Sequence, residues 1–259
     1  MHLSEKLLTK SFFRDLENRD WYRYCSPQGF YPLTHALIPW LAAAALISCA
    51  AGLYLGLFLT PPDDRLGAAA RIVFVHVPAS WMAVLVYLAT AVATWIGLAF
   101  NARLALMAAQ ALAPTGLMFA FLGLWTGCLW HKPIWGTWWV WDLRTCSELT
   151  LAFVYIAFIG LHAATEDSHS ANKAGALLLF AGALCIPVNF AAVLSRTAQH
   201  QGTLAGAAGW DPSELAGLLV MSLGFLAYTG ATALLRLRCV ILERERDSAW
   251  VAKRRNASP

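Results

Sequence analysis

Six long apolar blocks constrain this chain more than any other feature of it. They fall at about 36–59, 73–100, 104–126, 146–164, 174–194 and 213–236. Within each block the apolar residues run on, without the three- and four-residue spacing of an amphipathic helix. Each is close to the roughly 20 residues that cross the hydrocarbon of a bilayer. A segment in hydrocarbon must satisfy its own backbone hydrogen bonds, which selects helices. The expected fold class is therefore an all-α integral membrane protein, a six-helix transmembrane bundle with a tryptophan-rich outer loop. Composition agrees: 59% of the residues are hydrophobic and 13% charged, against about 25% charged in a soluble domain.

The blocks divide the chain into an N-terminal tail at 1–34, one membrane domain at 35–236 with a functional loop at 127–145, and a C-terminal tail at 237–259. No internal repeat separates a second domain. The first block follows a polar stretch of some thirty residues and is long enough to span, so it reads as a membrane helix and not a cleaved signal. Two span starts carry capping signals. Thr145-Cys146-Ser147-Glu148 fits a capping box for the fourth. Asp211-Pro212-Ser213-Glu214 places a cap and an N1 proline before the sixth. Pro78, Pro114 and Pro187 interrupt spans and are expected to kink them.

The net charge of +4 sits mostly in the tails and reads as membrane orientation, not nucleic-acid binding. Lys6, Lys10, Arg14, Arg19 and Arg23 in the first tail join Arg103, Lys173 and seven cations from Arg236 to Arg255 on one side. Arg65, Arg71, Lys132, Arg144 and Arg196 lie on the other. The positive-inside rule puts both termini in the cytoplasm, with loops 60–72, 127–145 and 195–212 outside, which in a Gram-negative bacterium, with the chain in the inner membrane, is the periplasm. Residues 3–20 have the pattern of a basic surface helix, with Leu8, Phe12 and Leu16 on one face. The run Glu243-Arg244-Glu245-Arg246 reads as a polar helical extension without chemistry. The six cysteines are scattered, with no C-x-x-C and no C-x-x-C-H, so neither a thioredoxin-like site nor a thioether-bound haem is expected. Cys128 and Cys146 lie near one end of the bundle and are the one pair placed for a disulfide.

Of twelve tryptophans, six fall between Trp125 and Trp141, and the core of the run is Trp135-Gly136-Thr137-Trp138-Trp139-Val140-Trp141-Asp142. If helical, Trp135, Trp138, Trp139 and Asp142 share one face. An interfacial belt spreads tryptophan over all helix ends. A cluster in a single loop reads instead as a flat apolar platform for a planar ligand. His76, at the start of the second span, and His200, after the fifth, bracket this run on the same side, and two imidazoles can fill both axial positions of a haem iron. Zinc fits less well, because no H-x-x-x-H or H-E-x-x-H spacing occurs.

Taken together, Arg71-Ile72-Val73-Phe74-Val75-His76-Val77-Pro78, the run Trp135–Asp142, and His200-Gln201-Gly202 resemble the CcmC family, haem-handling proteins of cytochrome c maturation. The likeness follows the chain in order and spacing. Shorter tryptophan motifs mark a wider superfamily that includes haem lyases, whose members are longer and have more spans. The resemblance implies that His76 and His200 are axial ligands to the iron of haem b. It implies that Trp135, Trp138, Trp139, Trp141 and Asp142 belong to the haem platform. It implies delivery of haem to the periplasmic chaperone CcmE, in a complex with CcmD and the ATPase subunits CcmA and CcmB. A binding and delivery protein, not an enzyme, is expected, with a lyase-like role left open. The family has two tryptophans shortly before its second histidine, where this chain has Ser195 and Arg196. Arg71, Arg144 and Arg196 are outer cations suited to haem propionates. His131 flanks the platform as an alternative ligand. Asp142 suits either the platform or the start of the next helix, and Glu148 reads first as a capping residue.

Two other functions compete. An electron-transfer cytochrome b needs histidines paired across the membrane interior, and these lie near its surfaces. A haem-exporting subunit would draw its energy from partners, because the chain has no G-x-x-x-x-G-K-[ST] phosphate loop.

Overall fold

The computed structural model describes residues 24–60, 67–165, 167–194 and 212–257. The surface helix expected at 3–20, together with Ser195, Arg196, His200 and Asp211, lies outside the described residues. Six helices are long and apolar enough to cross a membrane: Pro27–Leu59, Ala69–Ala99, Arg103–Trp135, Leu143–Ala164, Ser168–Ala192 and Pro212–Arg244. The protein is a multi-pass all-α membrane bundle.

Helix α1 (Pro27–Tyr54) starts where the Ser26 hydroxyl accepts the Gly29 amide at 3.2 Å, with Pro27 in the first turn, and it ends in a π-helical turn, Leu55–Leu59. After a 3₁₀ turn, Ala68–Ile72, α2 runs from Val73 to Ala99. A tight link with Asn101 in the left-handed conformation (φ 50°) leads to α3, Arg103–Trp135. Asparagine tolerates that geometry better than most residues. Then follow α4 (Leu143–Ala164), α5 (Ser168–Ala183), α6 (Cys185–Leu194), α7 (Pro212–Arg244) and α8 (Ala249–Ala257). The fifth span is thus two helices. Pro187 has no N–H to offer the Ala183 carbonyl, and the helix is interrupted at Leu184, whose amide turns back to Ala181 at 3.3 Å. Pro78 and Pro114 lie inside unbroken α2 and α3.

The spans outrun the apolar blocks. A helix need not end where its apolar block does. Thus α3 extends to Trp135 with Thr126 and His131 turned inward, and the non-helical part of 127–145 shrinks to 136–142. Likewise α7 runs through Arg236 and Arg238 to Arg244.

Helix α2 packs chiefly against α3, α1 chiefly against α7, and α4 joins α3 to the α5–α6 pair. The core lies between α2, α3 and α4, around Tyr87, Tyr155, Phe119 and Phe158. The two tyrosine rings meet edge to face at 5.6 Å. Their hydroxyls donate to main-chain carbonyls, Tyr155 to Ala83 at 2.9 Å and Tyr87 to Leu179. These bonds satisfy polar atoms that would otherwise be stranded.

At the end of the bundle opposite the tryptophan loop, α8 folds back over the start of α1. Tyr31 is buried between the guanidinium groups of Arg238 and Arg254, 4.8 and 4.6 Å from its ring centre, and its hydroxyl accepts from Arg238 at 3.2 Å. Trp250 packs on the same ring and donates to Glu245, which pairs with Arg103 at 2.7 Å. The charged run at 243–246 does extend α7 as a polar helical end, and its Glu245 and Arg244 tie α7 and α8 to α3.

Candidate functional site

The tryptophan run begins as the last turn of α3 and continues as a loop. Gly136 adopts φ 71°, the left-handed geometry that ends helices, and its amide closes on the Lys132 carbonyl at 3.0 Å. The single helical face expected for Trp135, Trp138, Trp139 and Asp142 is therefore not formed. Only Trp135 is helical. The Thr137 hydroxyl donates to the Trp139 carbonyl at 2.6 Å and accepts the Trp139 amide at 3.2 Å, which fixes the loop locally. Lys132 donates to the Gly136 carbonyl at 2.9 Å and sits 5.5 Å from the Trp138 ring centre. The rings of Trp139 and Trp141 meet nearly edge to face at 5.3 Å. Trp135, Trp138 and Trp141 remain 40%, 56% and 76% exposed, so the loop does present broad indole surface.

Asp142 closes the loop and caps α4: its carboxylate accepts the Thr145 amide at 2.7 Å. The capping box placed at Thr145–Glu148 is thereby overturned, because Thr145 already lies in the helix whose cap is Asp142. Glu148 faces the interior instead, where its carboxylate accepts the Ser80 hydroxyl at 2.9 Å. The Cys128 and Cys146 thiols are free.

Beneath the loop lies a buried polar cluster. His76, in the first turn of α2, is only 4% exposed. Its Nδ1 lies 3.1 Å from the Gly123 carbonyl and 3.0 Å from the Thr126 hydroxyl. Arg144, in the first turn of α4 and also buried, places Nη2 3.3 Å from His76 Nε2. A guanidinium only donates and a carbonyl only accepts. The network therefore assigns the proton to Nδ1 and the lone pair to Nε2. This is the tautomer of a metal-binding imidazole whose other nitrogen is steadied by a carbonyl.

Helix α3 makes room for the cluster with glycine. A Cβ on Gly127 would come within 3.3 Å of His76 Cε1, and one on Gly123 within 2.4 Å of Glu148 Oε1 and 3.0 Å of Ser80 Oγ. Glu148, Arg144, His76 and His131 line one cavity of about 10 Å³, and Glu148 also borders a second, of about 20 Å³, beside Ser147 and Asn189. Each is of the order of a water molecule, far below the volume of a porphyrin. A porphyrin therefore cannot be enclosed within either cavity.

Arg71 stands on the 3₁₀ turn leading into α2, at the same end of the bundle. Its Nη2 reaches the Thr60 carbonyl at 3.5 Å, while its Nε is buried with no hydrogen-bond partner among the described residues. The same is true of Trp139 Nε1. Two orphaned donors at one end of the bundle suit a ligand that brings acceptor oxygens. No group of three or more metal-binding side chains occurs among the described residues.

The structure thus brings His76, Arg144 and His131 together, places Arg71 and the tryptophans at the same end, and gives Asp142 a capping role. Sequence reasoning missed Ser80, Gly123, Thr126 and Gly127. The one available signal was the spacing of Gly116, Gly123 and Gly127, which shares a helical face with His131.

Comparison with known proteins agrees with the motifs. The family model described as CcmC, heme exporter protein C, matches residues 20–252. The heme exporter protein C of Escherichia coli K12 is 36% identical over 227 residues, covering 88% of this chain and 93% of the relative. That of Bradyrhizobium diazoefficiens is 38% identical over 222 residues, 85% and 84% of the two chains. That of Paracoccus denitrificans is 35% identical over 246 residues, 91% and 99%. With a match of this extent, the chain belongs to the CcmC family.

Proposed function

We propose that this protein handles haem for cytochrome c maturation, holding it at the outer face of the bacterial inner membrane and delivering it to the chaperone CcmE. His76 and His200 supply the axial nitrogens, and Trp135, Trp138, Trp139 and Trp141 offer the platform. The observation that carries this reading is the contact of His76 Nδ1 with the Gly123 carbonyl, which leaves Nε2 its lone pair, at the end of the bundle that bears the exposed tryptophan loop. Haem b is cargo here, bound through its iron and its plane and then released.

The donor set fits that cargo. One imidazole lone pair is preorganised, the loop supplies apolar surface, and Arg71 and Trp139 carry buried donors suited to carboxylates. Arg144 and Arg196 are further candidates for the propionates. Asp142 acts by shaping the loop through its cap. CcmD and the ATPase subunits CcmA and CcmB are the proposed partners in the membrane, with both termini of this chain in the cytoplasm.

The test is ligation. Protein purified from haem-replete membranes should show a six-coordinate low-spin spectrum. His76→Gly and His200→Gly should each lower haem retention, with partial restoration by imidazole, whereas His131→Ala should change it little. Loss of binding in His131→Ala together with a silent His200→Gly would reassign the second ligand to His131.

A further inference from the structure

The contact between Arg144 and His76 has a chemical implication of its own. The Nε2 lone pair that accepts from Arg144 Nη2 at 3.3 Å is the same lone pair that an iron must take. Guanidinium and metal cannot share it. Neither group is at the surface: His76 is 4% and Arg144 8% exposed. A buried guanidinium N–H does not leave one acceptor without another, because an unsatisfied buried donor is costly. Glu148 borders the same cavity, but its carboxylate is fastened to Ser80 on α2. Arg144 is a long side chain two residues after the loop, in the first turn of α4.

We propose that Arg144 is a specificity-determining residue that makes His76 available only to a porphyrin bearing carboxylates. This rests on the reading of His76 as a haem ligand. A propionate arriving at the loop offers the guanidinium a charged acceptor with forked geometry. Arg144 then exchanges His76 for the carboxylate, and the freed Nε2 faces the incoming metal. No bond other than hydrogen bonds and the iron–nitrogen bond is made or broken. A porphyrin without carboxylates gives Arg144 nothing to exchange for, and His76 stays covered. Glu148 and Ser80 hold the opposite charge in place while the exchange occurs.

The test compares iron protoporphyrin IX with its dimethyl ester, which keeps iron, ring and vinyls but loses both carboxylate charges. The full chain in detergent is titrated with each, and formation of the low-spin spectrum is followed. Wild type should prefer the free acid by at least about tenfold in Kd. Arg144→Met should take both porphyrins with nearly equal affinity. A second measurement uses no porphyrin: diethylpyrocarbonate modification of His76, read by mass spectrometry, should be several-fold faster in Arg144→Met than in wild type. Arg144→Lys, which keeps a charged donor but lacks the fork, should fall between them. Wild type binding both porphyrins alike would overturn the proposal without recourse to any variant. So would a His76 modification rate unchanged in both Arg144 variants. If His76→Gly retains the low-spin spectrum with both porphyrins, the ligand assignment itself fails. If His76→Gly abolishes that spectrum while wild type does not discriminate, only the role of Arg144 falls.

Discussion

At His76 a single main-chain carbonyl decides which nitrogen is available to a metal, and at Gly123 the absence of one methyl group leaves room for the Glu148 carboxylate. A Cβ at Gly123 would sit 2.4 Å from Glu148 Oε1. Gly123→Ala should therefore separate the Ser80–Glu148 pair and lower stability by about 1–3 kcal/mol, the usual cost of overpacking. A drop in the melting temperature of the detergent-solubilised protein, with reduced haem content, is the expected result. Asp142→Ala should cost about 1 kcal/mol through loss of the α4 cap. It should also loosen the loop that Asp142 closes and lower haem retention. The histidines, arginines and tryptophans were legible in the chain because residue type alone announces their chemistry. Glu148 was misread because a glutamate three residues after a threonine satisfies a local pattern. The serine that claims it lies 68 positions away, on another helix.

The tryptophan loop shows how an element boundary changes the meaning of a motif. Steps of three and four predict a helical face, yet Gly136 at φ 71° turns the chain out of the helix after Trp135. The glycine was visible, but nothing local says whether such a residue continues a helix or ends it. Gly136→Ala should cost about 1–2 kcal/mol in that conformation and disturb the indole arrangement, readable as a shift in tryptophan fluorescence. The loop and the histidines should also fail differently. Replacing Trp138 and Trp139 together by Ala should weaken both haem retention and capture of CcmE in a pull-down. Removing His76 should weaken haem retention while leaving haem-independent capture largely intact. Full haem content and normal loading of CcmE in the double tryptophan variant would reduce the loop to an interfacial belt.

For the whole molecule, six spans with the tryptophan loop at one end follow directly from apolar block length, which is why the architecture was readable without any long-range information. The break at Leu184 and the α8 clasp were not, since both depend on neighbours and not on hydropathy. Orientation is testable directly. In a background without the six native cysteines, single cysteines at Arg65, Thr137 and Ala205 should react with an impermeant reagent applied from outside. Those at Lys10, His169 and Lys253 should react only after permeabilisation. Labelling of position 137 from the cytoplasm alone would reverse the face on which haem is handled.

The clasp at Tyr31 bears on how the protein is made. Helix α1 leaves the ribosome first and α7 and α8 last, yet α1 packs chiefly against α7, and Tyr31 is enclosed by Arg238 and Arg254. The first span must wait in the bilayer, with its own partner still untranslated, until synthesis is complete. A chain stopped before Pro212 leaves the α1 face uncovered, and one stopped before Arg238 still leaves Tyr31 uncovered. Such a fragment should be cleared by membrane proteases, so that pulse-chase decay of stepwise truncations should slow sharply once the chain extends through Arg254.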